Sequence, residues 1–117
     1  MSYVDFFCLP LPEGNREAYQ KQAELFSVVM KDYGMERYCE AVADDVPRGE
    51  STDFYRAVAA KDGETVVAAF AVWPDKATRD RAWNEGMKDP RLADAVENMP
   101  FDGKRMFWGG FNPIVET

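Results

Sequence analysis

The order of hydrophobic and polar positions predicts that the chain begins with a buried strand followed by a helix. Tyr3 to Leu11 is apolar at nearly every position except Asp5, which predicts a strand buried on both faces. A helix should begin after Asn15, because asparagine is a favoured N-cap residue. Its apolar stripe recurs at alternating steps of four and three residues: Tyr19, Ala23, Phe26, Met30 and Tyr33. Gly34 stands just past this helix, where a left-handed C′ residue is expected.

The middle of the chain carries strand patterns separated by loop-forming residues. Met35 to Asp44 has a strand-like pattern, and the composition of Asp44 to Asp53 predicts a loop. A further strand is predicted at Phe54 to Ala60, with a type I′ turn at Asp62-Gly63 leading into a long strand at Thr65 to Trp73. This long strand has no polar residue after its first position, so another element must cover its second face.

The last third of the chain predicts a second helix, a short helical turn and a final strand. Asp75 should cap the helix. The apolar edge of this helix is Ala82, Trp83, Gly86 and Met87. Asp89 and Pro90 can open the short turn, and Lys104 to Phe111 has the pattern of a strand.

This order of elements predicts an α+β, ferredoxin-like βαββαβ fold. Its antiparallel sheet should have the strand order 4-1-3-2, with the helices on one face. The simplest solution splits the second strand into Met35 to Asp44 and Phe54 to Ala60; the alternative is a separate fifth strand. At 117 residues and 46% hydrophobic content, residues 1–117 are expected to form a single domain with one core.

Charge and residue usage argue against several classes of function. Fourteen Lys and Arg against 21 Asp and Glu leave a net charge of −7, which repels nucleic acids and anionic membrane surfaces. The absence of histidine removes Ser-His-Asp and Cys-His catalysis, imidazole zinc sites and histidine-ligated haem. We therefore predict no metal and no other cofactor. Without a spanning segment or a basic signal region, the protein is expected in the cytoplasm.

The two cysteines are expected to be free thiols. Cys8 and Cys39 do not form a CxxC motif, and two small buried thiols in a reducing compartment is the simplest interpretation. The predicted strand order places Thr65 to Trp73 between them, which separates their Cα atoms by about 10 Å or more. A disulfide needs about 7 Å or less, so none should form within the chain.

Two groups of residues are candidates for a ligand pocket. The aromatic candidates lie on predicted strands or on the inner face of a helix: Phe7, Phe70, Trp73, Trp83 and Trp108. Aromatic residues in such positions usually belong to the core, and a ligand cavity is the alternative. The charged candidates, Asp5, Arg56 and Arg105, interrupt apolar strands, where each would need a partner if buried. We prefer a structural ion pair of Asp5 with one of the arginines over a set that orients a polar ligand.

Several motifs spread over the chain carry a family resemblance. They include Tyr3-Val4-Asp5, Asp44-Asp45-Val46-Pro47, Trp73-Pro74, Met99-Pro100-Phe101-Asp102-Gly103-Lys104-Arg105-Met106 and Gly109-Gly110-Phe111. In this combination the chain resembles the YbaA-like family of uncharacterised bacterial proteins, a domain of unknown function. The resemblance implies the dimeric α/β-barrel branch of ferredoxin-like folds, in which two sheets pack face to face. It therefore implies a homodimer.

Two functions follow as hypotheses. The first is binding of a small apolar or aromatic molecule without catalysis. The second, implied by the wider superfamily, is a cofactor-independent monooxygenase or isomerase, with Asp5 and Arg56 or Arg105 as polar contacts. A cavity of about 300 Å³ or more, with one of these charges facing into it, would favour the enzyme.

Overall fold

The computed structural model describes residues 1–117 and contains a four-stranded antiparallel sheet with the longer helices on one face. The elements are β1 (Tyr3–Pro12), α1 (Arg16–Asp32), β2 (Arg37–Val42), α2 (Phe54–Ala57), β3 (Glu64–Trp73), α3 (Lys76–Glu85), α4 (Ala93–Glu97) and β4 (Phe107–Phe111). The strands lie in the order β2-β3-β1-β4, which confirms the predicted ferredoxin-like arrangement. None of the helices combines the length and the apolar character needed to cross a membrane.

Local capping signals account for several of the helix ends. The Asp75 side chain accepts a hydrogen bond from the backbone N–H of Thr78 at 2.7 Å, as predicted for the start of α3. Gly34 has a φ of +104°, which confirms its left-handed position after α1. Asn15 occupies the N-cap position of α1, as predicted, but its side chain makes no capping hydrogen bond. Its side-chain amide instead donates to the carbonyl of Pro100 at 2.7 Å, tying the start of α1 to a distant loop.

The predicted strand at Phe54 to Ala60 is wrong, because this segment begins with the short helix α2. The Asp53 side chain accepts from the backbone N–H of Arg56 at 2.8 Å, and this cap outweighs the strand propensity of the aromatic residues that follow. The second strand is therefore neither split nor accompanied by a fifth strand. The type I′ turn is also wrong, since Gly63 has a positive φ (+80°) and Asp62 does not.

The two faces of the sheet are covered differently. On the helix-facing side the buried core brings together residues from both longer helices and from the sheet: Tyr3, Val29, Met30, Met35, Ala71, Trp73, Ala82 and Leu92. On the opposite side, Val58 just after α2 packs with Cys8 and Val66 and covers one end of the sheet. The rest of that side leaves Phe6, Phe107 and Phe111 about half exposed. The expected cover over the second face of the sheet is thus only partial within one chain.

The cysteines lie on the two strands that flank β3, as predicted. Cys8 pairs with Ala68 from one side and Cys39 with Phe70 from the other, and both thiols are free. Only Cys8 is buried, so the prediction of two buried thiols is wrong for Cys39, which lies on the edge strand. Burial raises the pKa of the Cys8 thiol. Because neither cysteine forms a disulfide, thiol titration of unfolded, unreduced protein should recover both thiols.

Candidate functional site

A cavity of about 380 Å³ lies between the helix-facing side of the sheet and the helices. Fifteen of its 17 lining residues are hydrophobic. In the middle of its helix-facing side the central strand β3 carries the small side chains of Ala69 and Ala71, between Val67 and Trp73, which leaves room above them. Val96, Met99 and Trp108 line the cavity and are each about half exposed, so they mark its mouth. A cavity of this size and lining is typical of small-molecule sites.

Aromatic rings form a continuous wall along the cavity. The ring of Phe26 lies 5.3 Å from that of Tyr38 and 6.0 Å from that of Trp83, measured between ring centres. Trp83 in turn stacks on Trp108 at 5.5 Å and contacts Phe7 at 5.9 Å. These separations are those of favourable aromatic pairs, so the rings hold one another in place.

A buried carboxylate fixes the position of Trp83. Asp5 is fully buried, and its Oδ2 accepts hydrogen bonds from the indole N–H groups of Trp73 and Trp83, both at 3.0 Å. Arg79 neutralises the charge, because its Nη2 donates to Asp5 Oδ1 at 2.7 Å. The same guanidinium lies 5.6 Å from the ring centre of Trp108. Asp5 thus acts beneath the cavity wall and does not line the cavity.

The predicted pairing of Asp5 with Arg56 or Arg105 is wrong. Arg56 caps a loop next to α2, where it pairs with Asp53 at 3.1 Å, and Arg105 forms a two-bond ion pair with Glu64 at 2.7 Å. Arg56 lies on α2, where the predicted strand does not form, and Arg105 precedes β4, so neither reaches the buried carboxylate. The preference for a structural ion pair at Asp5 is nevertheless confirmed, with Arg79 as the partner.

Three of the predicted pocket residues line the cavity, namely Phe7, Trp83 and Trp108. Trp73 is fully buried in the core, which agrees with the expectation that most such aromatics are structural. Phe70 pairs with Phe6 on the opposite side of the sheet and does not contribute to the cavity.

Sequence reasoning missed the one charged residue that lines the cavity, Glu40. The Tyr19 hydroxyl donates to its Oε1 at 2.7 Å, and the Tyr38 hydroxyl donates to its Oε2. Burial raises the pKa of Glu40, although both tyrosine hydrogen bonds oppose this, and burial with the nearby Glu40 raises the pKa of each tyrosine. Glu40 shares a strand face with Tyr38 and Val42, so the signal that identified Asp5, a charge on an apolar face, was present here too.

A wider groove of about 610 Å³ lies on the outer side of the same residues, between α1 and the edge strand β2. It shares Tyr19, Ala23, Tyr38 and Glu40 with the inner cavity. Its other lining residues include Arg16, Gln20, Glu24 and Ser27, which make it a more polar surface depression. We take the inner cavity as the candidate site, because its walls are almost wholly apolar and it lies beneath the helices.

The fold and cavity define a small α+β protein of the ferredoxin-like class. Among solved structures, Rv0793 from Mycobacterium tuberculosis is similar over 99% of this chain and 98% of its own, with a TM-score of 0.56 and 12% identity. The de novo designed protein Foldit4 is similar over 97% of this chain and 99% of its own, with a TM-score of 0.52 and 10% identity. At such low identity these similarities establish the fold alone.

Sequence comparison establishes the family. Residues 2–103 match the family described as protein of unknown function (DUF1428). The uncharacterised protein YbaA of Escherichia coli K12 is 42% identical over 116 residues, covering 99% of each chain, and YbaA of Shigella flexneri has the same identity and coverage. The chain therefore belongs to the DUF1428 family, which confirms the resemblance found in its motifs.

Proposed function

We propose that the protein binds a small apolar or aromatic molecule in the cavity between the sheet and the helices, in the cytoplasm and without catalysis. The observation that carries this proposal is the cavity of about 380 Å³ with its continuous aromatic wall. Burying an aromatic body there removes apolar surface from water on both sides of the contact. The network around Asp5 and Arg79 holds the wall in place before a ligand arrives, which lowers the entropic cost of binding.

Binding is better supported than the oxygenase or isomerase hypothesis. That hypothesis requires Asp5 with Arg56 or Arg105 as polar contacts of a substrate, and none of these residues lines the cavity. The cavity is large enough for a substrate, but its only charged group is Glu40. A single carboxyl supplies one proton acceptor, which does not specify a reaction.

A pair of alanines on α4 provides a direct test. Ala95 lines the cavity, whereas Ala93 lies on the same short helix and is exposed. Ala95→Trp should fill part of the cavity and weaken binding of the neutral apolar dye N-phenyl-1-naphthylamine about tenfold, equivalent to about 1.4 kcal/mol. Ala93→Trp adds the same ring outside the cavity and should leave the affinity unchanged. Equal affinities in a fluorescence titration would exclude the cavity as the site.

Native mass spectrometry of freshly purified protein complements this test. A small molecule that co-purifies with the wild type and is lost from Ala95→Trp would identify the natural ligand by its mass. Its retention by both variants would place it outside the cavity.

We further propose that a second copy of the chain covers the exposed side of the sheet. The patch consists of Phe6, Phe107 and Phe111 with Val4, Phe70 and Val72 around them, and Phe6 and Phe111 already pack edge to face at 5.2 Å. Its centre contains no charged side chain, so two chains of net charge −7 can approach there without opposing carboxylates. The twofold packing implied by the family resemblance uses the same side of the sheet.

Sedimentation velocity at micromolar concentration should show two chains for the wild type and one for Phe107→Asp. Val28→Asp is the matched control, since Val28 is 59% exposed on α1, on the opposite side of the sheet. It should remain a dimer. A monodisperse wild-type monomer would refute the proposed assembly.

A further inference from the structure

Glu40 is a partly buried carboxylate that, unlike Asp5 and Glu64, has no cationic partner. Asp5 pairs with Arg79 and Glu64 with Arg105, each at 2.7 Å. No lysine or arginine nitrogen lies within 4.0 Å of Glu40, whose two oxygens accept only from the hydroxyls of Tyr19 and Tyr38. A buried charge without a counter-ion is costly, so this carboxylate is set to gain from any cation that enters the cavity.

The aromatic wall begins at one of the two tyrosines that hold Glu40. Tyr38 donates to the carboxylate and lies against Phe26, which lies against Trp83. The faces of aromatic rings attract cations through their quadrupole, and tryptophan does so most strongly. A carboxylate next to a row of ring faces is the combination that recognises amines and quaternary ammonium groups.

We propose that this cavity selects an organic cation: an amine or quaternary ammonium group placed at Glu40, carried on an apolar or aromatic body that lies along Phe26 and Trp83. This inference rests on the proposed binding function and specifies its ligand class. A carboxylate ligand is disfavoured, because it would place a second negative charge beside Glu40.

The protonation of Glu40 should make the affinity for a cationic ligand depend on pH, which gives a second test. Burial raises its pKa, and the protonated carboxyl, having no charge, cannot attract a cation. The titratable groups that contact it are Tyr19 from α1 and Tyr38 from its own strand, while Arg16 and Glu24 of α1 line the outer groove. Affinity for a cation should therefore fall as acidification protonates Glu40, and affinity for a neutral ligand should not.

Three probes with the same body separate these effects: 4-phenylbutylamine, 4-phenylbutanol and 4-phenylbutanoate. Isothermal titration at pH 8 should show the amine binding about tenfold more tightly than the alcohol, the value expected for about 1.4 kcal/mol of charge-assisted bonding. The acid should bind most weakly. Glu40→Gln should reduce the amine to the affinity of the alcohol, abolish the pH dependence and leave the alcohol unchanged.

Glu24→Gln is the matched control, because it removes one carboxylate from the outer groove and leaves the inner cavity intact. It should change none of the three affinities. Tyr19→Phe removes one hydroxyl that stabilises the ionised carboxylate, so it should move the pH midpoint for amine binding upward. This second variant tests the inference even if Glu40→Gln folds poorly.

The outcomes distinguish this inference from the proposed function. Equal binding of amine and alcohol in the wild type, or tighter binding of the acid, would overturn the cation inference while leaving apolar binding intact. Failure of all three probes, together with the neutral dye, would overturn both.

Discussion

Removing the buried carboxylate of Asp5 should be among the most destabilising single changes in this protein. Asp5→Ala leaves two indole N–H groups, those of Trp73 and Trp83, without an acceptor. It also leaves the guanidinium of Arg79, whose side chain is only 12% exposed, without its main counter-ion. The three donors, on Trp73, Arg79 and Trp83, lie 68 to 78 positions from Asp5 in the sequence.

The magnitude follows from these lost contacts. Breaking a buried ion pair by removing one partner costs about 3–5 kcal/mol. Each indole N–H left without an acceptor adds about 1 kcal/mol, although water entering the space vacated by the carboxylate offsets part of this. We expect the free energy of unfolding to fall by about 4 kcal/mol, a large share of the roughly 5–15 kcal/mol typical of such domains.

Urea denaturation followed by tryptophan fluorescence and by far-ultraviolet circular dichroism measures this loss, at equal protein concentration for all variants. Asp80→Ala is the matched control, because Asp80 also pairs with Arg79, at 2.8 Å, but from the solvent side. It should change the midpoint only slightly. A loss below about 1 kcal/mol for Asp5→Ala, within the range of ordinary surface changes, would refute the view that this network fixes the cavity wall.

Two further predictions concern packing and pH. Gly110→Ala should destabilise the protein by about 1–3 kcal/mol, because the added Cβ would lie 2.6 Å from Cε2 of Tyr3. Gly109→Ala is the control, because its added Cβ meets its nearest atom at 3.6 Å. In thermal melts this control should unfold like the wild type. Hydrogen bonds from Arg105 lower the pKa of Glu64 from 4.5 to about 2, so their stabilisation is complete above about pH 4.5 and is lost as the pH falls toward 2. Glu64→Gln should therefore flatten the acid side of the stability profile, and an unchanged slope would contradict this assignment.

The sequence predicted several elements whose signals are local. The stripe of α1, the cap at Asp75 and the left-handed residue at Gly34 each depend on contacts within a few positions, and all three are present. The failure at Phe54 to Ala60 has a local cause as well. The cap provided by Asp53 competes with a run of strand-forming residues, and propensity alone favours the wrong outcome.

The residues of the candidate site were predicted only in part from the sequence. Periodicity was sufficient to place Phe7 and Trp83 facing inward, but it could not distinguish a ring that fills the core, such as Trp73, from one that lines a cavity. That distinction depends on the volume left between layers. This volume depends here on the small side chains of Ala69 and Ala71 together with the position of the helices.

What the sequence by itself determined was the strand order of the sheet, the family, and the need of Asp5 for a partner. Only the tertiary structure decided which partner it has. Asp5 and Arg79 are 74 positions apart, and a sequence containing several arginines does not indicate which one the fold brings within 2.7 Å of a given carboxylate. For the same reason the isolation of Glu40 became visible only in three dimensions, because the absence of a nearby cation is a property of the packed chain and of no segment within it.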